Sequence, residues 1–155
     1  MKVISFDVSS KRTGWSYFED GKLADFSIID VPKNLSLQKK LYWFKSQVEL
    51  LLNIFRPSQV VVEETYLKNV TTLKVLMQFV SAVNVACFEV LGIEAYHISP
   101  NTVRSFFELK TKEEVFAFVQ SKYKRKLGKY TFEEGNDITD SILQGLYYIN
   151  LNKDE

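Results

Sequence analysis

The chain has little of the residue types that build disulfide frameworks and zinc sites. Its 155 residues include one cysteine, Cys87, and one histidine, His97. A single cysteine excludes an intrachain disulfide and any cysteine-rich metal centre. A single histidine weakens every scheme in which imidazole binds a metal or moves a proton. Chemistry in this chain must therefore depend on carboxylates, lysines or hydroxyls.

The chain also lacks a long apolar leader and an excess of one charge. Asp7 already interrupts the first apolar run, so neither a secretory signal nor an anchor is expected there. The apolar stretch over 70–91 contains Lys74, Gln78 and Glu89, which disfavours a membrane span. We expect a cytoplasmic protein with no membrane partner. The net charge is +1, yet residues 101–130 carry eight cationic and three acidic side chains, which indicates either a polyanion-facing side or a solvated helix face.

Length and pattern predict a single α/β domain over 1–155. Strands are expected at 2–8, 15–18, 23–30, 59–63 and 93–98, with Asp20-Gly21 as a hairpin turn. Helices are expected between the cap Ser36 and Pro57, over 69–91, from Pro100, over 111–125 and over 137–151, with 128–135 as a loop. This order predicts a five-stranded mixed sheet, with three antiparallel strands and then two parallel ones, and helices on both faces.

Two carboxylates stand at the ends of predicted buried strands. Asp7 ends the first strand, and Glu63 follows the run Val60-Val61-Val62. Functional groups gather at the carboxyl ends of strands in open α/β sheets. Either acid has a structural alternative, a turn or cap for Asp7 and an ion pair with a lysine for Glu63. Two such charges side by side are unfavourable unless a cation lies between them.

Asp137 and Asp140 are expected on one face of the last helix, in its first turn. The alternative is that they only complement the helix dipole. Together the four acids form a set of hard oxygen ligands, which suits Mg²⁺ or Mn²⁺ rather than zinc. Carboxylates that hold two such ions about 3.5–4 Å apart are the apparatus of phosphodiester cleavage.

Four segments in this order resemble the RuvC-type Holliday junction resolvases, which have the ribonuclease H-like fold. They are Ile4–Trp15, Val62–Asn69, the pair of segments 98–103 and 112–115, and Asn136–Ser141. Ser9-Ser10 stands where the family usually has Pro-Gly, and the chain is short. Both departures indicate a divergent, phage-like member, which places the protein in the cytoplasm of a bacterial host.

The resemblance implies a homodimer that binds four-way DNA junctions, and in a wider reading forks and other branched DNA, and nicks two strands symmetrically. It implies that Asp7, Glu63, Asp137 and Asp140 are the catalytic and metal-binding acids, holding two Mg²⁺ ions for which Mn²⁺ substitutes. Water attacks phosphorus in line and leaves a 5′-phosphate. Glu63 is preferred over Glu64 because neighbouring strand residues point to opposite faces.

The resemblance also implies residues that contact DNA: Tyr66, Lys68, Arg104, Lys110 and Lys112. Lys112 is expected at the first position of a helix, as a phosphate contact or a catalytic cation, and its alternative is a solvated lysine. Tyr66 is expected to stack on an unpaired base, and its alternative is a small satellite core.

The helix over 70–91 is apolar around most of its circumference, which predicts burial on two sides. One side is the sheet, and the other is either a partner subunit or the later helices. Two further functions stay open, a non-catalytic branched-DNA-binding protein and a ribonuclease H-type nuclease for RNA–DNA hybrids.

Overall fold

A five-stranded mixed sheet organises the structure, a computed structural model that describes residues 1–64 and 69–153. The sheet order is β3-β2-β1-β4-β5, with β1–β2 and β2–β3 antiparallel and β1–β4 and β4–β5 parallel. This confirms the predicted fold class. The strands are β1 (Lys2–Asp7), β2 (Arg12–Glu19), β3 (Lys22–Asp30), β4 (Gln59–Glu63) and β5 (Tyr96–Ile98).

Helices with clear caps connect and follow the strands. Ser36 accepts the amide of Lys39, Asn69 accepts those of Thr71 and Thr72, and Thr111 forms the expected capping box. The helices are α1 (Leu37–Phe55), α2 (Val70–Leu91), α3 (Pro100–Phe106), α4 (Lys112–Lys122), α5 (Lys124–Leu127) and α6 (Phe132–Leu151).

The last helix begins five residues earlier than its sequence predicts. Thr131 caps it, and the acids of its first turn are Glu133 and Glu134. The prediction that Asp137 and Asp140 occupy the first turn is therefore wrong, and so is a loop over 128–135. The misleading residue is Gly135, which is a glycine because a Cβ there would lie 2.9 Å from the Tyr130 side chain. Asp137 and Asp140 therefore lie too far along α6 to serve as its dipole acids.

Three other boundaries differ from the sequence pattern. β2 begins at Arg12 rather than Trp15, because Arg12 and Thr13 still pair with β3. β5 is only three residues long, and Ile93 is apolar because it packs on the core beneath α2. The helix expected over 111–125 is interrupted at Tyr123.

Two cores lie on the two faces of the sheet. Ile4, Phe6 and Val62 join the core under α1 and α2, whereas Val3 and Val61 join the core under α4 and α6. Because strand side chains alternate between faces, Asp7 and Glu63 share the α6 face. This alternation puts Glu63, rather than Glu64, on the same face as Asp7, as expected.

Gly14 lets α6 lie unusually close to the sheet. A Cβ at Gly14 would be 2.0 Å from the carbonyl oxygen of Asp137, which no side chain can accommodate. Gly14 also pairs with Asp7 in the β1–β2 register. One glycine, expected in a turn but found within β2, therefore allows the acidic part of α6 to approach the end of β1.

By length and composition alone, α2 is apolar enough to cross a membrane. In the fold it instead packs along α1, and Phe79, Val83 and Ala86 are buried in the core on the sheet. The small residue Cys87 is buried there too, where burial raises the pKa of its thiol to about 12. The prediction that the chain has no membrane partner stays a prediction.

Candidate active site

Asp7 and Glu63 meet at the adjoining ends of two parallel strands. Val3 to Phe6 pair with Gln59 to Val62, which brings the next residue of each strand side by side. Their side chains are in hydrogen-bonding contact, which raises the pKa of Asp7 and lowers that of Glu63. Burial, then the charges of Glu63 and Asp140, raise the pKa of Asp7 well above its usual value.

The pKa of Glu63 is also raised above its usual value, but by less than that of Asp7. Burial raises the pKa of Glu63, and the hydrogen bond with Asp7 partly opposes that rise. Glu64, beyond the strand end, is exposed, and its amide donates to the carbonyl oxygen of Ile98 at 2.8 Å. The structure thus places Glu63, and not Glu64, beside Asp7.

Asp140 of α6 faces this pair and is neutralised by Lys112. The Lys112 Nζ lies 3.0 Å from the Asp140 Oδ2, and the Asp140 side chain is only 9% exposed. Burial raises the pKa of Asp140 more than Lys112 lowers it. Burial lowers the pKa of Lys112, but the charges of Asp140 and Asp7 outweigh that effect, so the pKa of Lys112 is raised.

Asp137 lies within range of the charges of both Lys112 and Arg12. Its Oδ2 is 4.0 Å from the Arg12 Nε, and burial raises its pKa while Lys112 and Arg12 lower it. Within 1–64 and 69–153, no three Asp, Glu, His or Cys side chains are arranged to hold a metal ion. The expectation that all four acids converge on one ion site is therefore not met by these side-chain positions. Asp137 is drawn to Arg12, and Asp140 to Lys112.

The predicted DNA contacts are distributed unevenly. Arg104 of α3 lines the same depression as Glu63 and Asp140, and its charge lowers the pKa of both acids. Lys110 is exposed just before α4, and Lys112 is the first residue of α4, as expected. Tyr66 and Lys68 lie outside the described residues. His97 is exposed on β5, and its Nε2 lies 3.0 Å from the Asn84 Oδ1.

A buried glutamine that the sequence analysis missed holds Glu63 in place. The Gln144 Nε2 donates to the Glu63 Oε2 at 2.8 Å, and the Ser5 Oγ donates to the Gln144 Oε1 at 3.2 Å. Gln144 is 3% exposed, and Ser5 is fully buried. The sequence does give a hint of this role: Gln144 stands one helical turn after Asp140, among apolar residues that pack α6 on the sheet. Buried polar side chains need partners, and here the partner is a candidate ligand.

The donor set of this centre suits a hard divalent cation. Asp7, Glu63 and Asp140 supply carboxylate oxygens, and hard ions such as Mg²⁺ and Mn²⁺ prefer these ligands. The Lys112 ammonium, 3.0 Å from Asp140, offsets part of the repulsion among the acids. A cation between the acids would remove the rest.

Comparison with known proteins identifies the fold. No family profile matches the chain. A crossover junction endodeoxyribonuclease RuvC from Dictyoglomus thermophilum is 35% identical over 77 residues, which cover 46% of this chain. The chain thus matches about half of that relative's length, 49%. The structure of Thermus thermophilus RuvC in complex with a Holliday junction substrate superposes with a TM-score of 0.79 and 22% identity, covering 98% of this chain and 96% of that one.

The chain has the fold of a RuvC-type Holliday junction resolvase. The resemblance found in the sequence is thereby confirmed. The fowlpox virus resolvase, solved with its Holliday junction DNA, superposes with a TM-score of 0.59 and 20% identity, covering 97% of this chain and 98% of that one. In this fold Asp7 and Glu63 lie at the carboxyl ends of the inner strands β1 and β4, and Asp140 faces them from α6.

The raised pKa of Asp7 predicts an unusual pH dependence of stability. In the folded state Asp7 holds its proton to a higher pH than in the unfolded chain, where its pKa is about 3.9. Its contribution to stability is therefore greatest below that pH and is lost as pH rises through the folded value. Without metal, Asp7→Asn should raise the melting temperature at pH 8 by about 2–4 °C per kcal/mol recovered, and by less toward pH 4.

Thermal melts in a chelating buffer measure this difference, with Asp25→Asn as a matched change at an exposed acid far from the site. A melting temperature of Asp7→Asn that falls below that of the wild type at pH 8 contradicts the assignment.

Gln144→Leu should weaken the binding of Mn²⁺ by roughly tenfold, because Glu63 loses the donor that orients it. Calorimetric titration with Mn²⁺ measures the affinity. Ser141→Ala is the matched control, since the Ser141 hydroxyl is buried on the same helix but donates only to the Ile138 carbonyl. Equal affinities of Gln144→Leu and Ser141→Ala would show that Gln144 does not position a ligand.

Proposed function

We propose that this chain is a divalent-metal-dependent endonuclease that resolves four-way DNA junctions by paired, symmetric nicks. One observation carries the proposal: Asp7, Glu63 and Asp140 meet at the sheet edge of a RuvC-like fold, with a lysine among them. The Dictyoglomus relative is a crossover junction endodeoxyribonuclease, and both solved neighbours were captured with junction DNA. Forks and other branched DNA are the second substrate class.

Mg²⁺ is the cofactor in this proposal, with two ions per active site and Mn²⁺ as a substitute. Asp7, Glu63 and Asp140 are the proposed ligands, which would rearrange to hold an ion, and Asp137 would join them on leaving Arg12. Such ions would acidify water and neutralise charge at the scissile phosphate. The proposed 5′-phosphate products require that the 3′ oxygen leaves.

The chain's own cations act on the DNA. Lys112 is half exposed and stands beside Asp140, so its ammonium can turn from the carboxylate to a phosphate oxygen without leaving the site. Arg104 adds a second positive charge on the same depression. Both residues would stabilise the negative charge that develops on phosphorus. Lys110, Lys68 and Tyr66 stay predicted contacts to flanking DNA.

The two alternative functions make different predictions. A binding protein without catalysis has no use for acids whose burial raises their pKa, and such groups cost stability unless they act. A hybrid nuclease uses the same acids, and only its substrate differs. A cleavage panel of junction, fork, flap, RNA–DNA hybrid and plain duplex separates the three.

The proposal includes a homodimer through α2. The face of α2 turned away from the sheet exposes large apolar side chains, with Val70 at 64%, Met77 at 54% and Phe88 at 67% exposure. The described later helices leave this face uncovered, which removes the alternative that one chain buries the whole helix. Two copies joined here supply two active sites, as paired nicks require.

The proposed location is the bacterial cytoplasm, where a phage or its host keeps branched DNA. Phage origin stays a prediction.

Purified protein with Mg²⁺ should nick a four-way junction at symmetric positions on two opposed strands. Asp7→Asn should lower the nicking rate by at least about 10³-fold, since a ligand of the catalytic centre is lost. Denaturing electrophoresis of end-labelled junctions measures the rate and the sites. Asp25→Asn is the control and should cut like the wild type.

Two outcomes decide against the nuclease. Wild-type protein that binds junctions and cuts none of the panel supports the binding protein, and preferential cutting of the hybrid supports the ribonuclease H-type activity.

Phe88→Glu should convert a dimer into a monomer, because a carboxylate would be buried in the apolar contact. Light scattering should then report 18.0 kDa for the variant and twice that mass for the wild type. Tyr42→Glu is the control, since Tyr42 is an even more exposed aromatic residue, at 78%, but lies on α1. A monomeric wild type at micromolar concentration contradicts the dimer.

A further inference from the structure

A second site-like feature lies at the opposite end of the molecule from the acids. A cavity of about 420 Å³ opens beside the β2–β3 turn and the last turns of α4 and α6. We call it the lysine pocket, and its walls include Lys22, Lys122, Lys126, Lys153, Phe118 and Tyr123. A volume of this size accommodates a small organic ligand.

The described lining of the lysine pocket carries an excess of positive charge, although the charge of Lys22 also lowers the pKa of Asp20. Its lining contains four lysines and neither Asp nor Glu. Among the described acids, none forms an ion pair with any of the four. The ends of α4 and α6 contribute only about one negative charge between them, since each helix end carries about half a charge. The remaining excess attracts an anion.

Some of these lysines are held in place. The Lys126 Nζ donates to the carbonyl oxygen of Leu23 at 2.6 Å, which fixes its ammonium at the mouth of the cavity. The Lys122 Nζ lies 5.9 Å from the centre of the Tyr123 ring. Fixed ammonium groups lose less freedom when they bind an anion than freely moving ones do.

The rest of the lining is apolar and partly aromatic. Phe118 stays 37% exposed although it contacts Phe107, with 5.7 Å between ring centres. Leu146 and Ile149 of α6 complete the apolar surface and are buried. An exposed ring beside a row of ammonium groups matches a ligand with a flat ring and a phosphate.

The lysine pocket is separate from the acid centre. Asn150, which lines the pocket, follows Asp140 by ten residues on α6, about 15 Å along the helix axis. Lys22 pairs with Glu19 at one end of β2, whereas Gly14, the partner of Asp7, lies toward the other. A ligand of the pocket therefore does not depend on the nuclease proposal.

We propose that the lysine pocket binds a nucleoside phosphate, with the phosphates on the lysines and the base against Phe118. The nucleoside phosphate has two possible sources: a free nucleotide, or one nucleotide of a DNA strand. Both present a phosphate and a stacking ring to the same walls.

Calorimetric titrations with ATP, pyrophosphate and a short single-stranded oligonucleotide test the proposal. A chelator keeps metal ions out of the acid centre. Binding should weaken at least about tenfold for all three ligands when Lys22, Lys122 and Lys153 are changed together to Gln, because charge-assisted contacts are lost. Changing Lys33, Lys39 and Lys40 to Gln alters the net charge equally and should leave affinity unchanged, since these lysines lie outside the pocket.

Phe118→Leu isolates the stacking contact. It should weaken ATP by at least about fivefold and leave pyrophosphate unchanged, because only ATP has a base. ATP binding supports a free nucleotide as a ligand, and binding of the oligonucleotide alone supports a strand of DNA.

Three results overturn the proposal: no binding of ATP or oligonucleotide to the wild type, equal losses in the two lysine triples, or a Phe118→Leu variant that binds ATP normally. Thermal melts of each variant establish that it is folded, and amide shifts at Gly21 and Asn150, which line the pocket, establish where the ligand binds.

Discussion

The repulsion among buried carboxylates at one sheet edge is the constraint to which the rest of the site responds. Asp7 and Glu63 end neighbouring parallel strands, so the topology forces them together. Asp140 comes within range of their charge from α6. The Lys112 ammonium on Asp140 offsets part of this repulsion, and the raised pKa of Asp7 reflects what remains. A divalent ion between the acids would remove it, so the cost in stability agrees with the proposed metal site.

Holding the acids there requires a close and polar contact between α6 and the sheet. Gly14 removes the side chain that would keep α6 away, and Ser5 and Gln144 replace what would otherwise be apolar packing. Gln144 reaches Glu63 from the helix that also carries Asp140. A shift of α6 would therefore move Asp140 and the group that orients Glu63 at once.

The carboxyl ends of β1 and β4 could be predicted from the sequence, and the start of α6 could not. Period-two alternation fixes the faces of Asp7 and Glu63, and the three-strand meander follows from apolar runs and Asp20-Gly21. The predicted start of α6 is wrong because glycine favours loops on average. Gly135 instead lies within the helix, where its lack of a side chain leaves room for Tyr130. Asp137 and Gln144 illustrate the same limit. Spacing places both on α6, but only tertiary structure decides that one meets Arg12 and the other meets Glu63.

The net charge of +1 conceals two regions of opposite charge along α6. Near its beginning, Asp140 faces Asp7 and Glu63, with Lys112 as a partial counter-charge; near its end, four lysines line a cavity whose lining has no acid. Such separation costs free energy, because each region would be more stable with its opposite charge nearby. An average over the chain hides this cost. It also explains why net charge alone gives no sign of nucleic acid, although the structure has clustered carboxylates near one end of a helix and a lysine-lined cavity near the other.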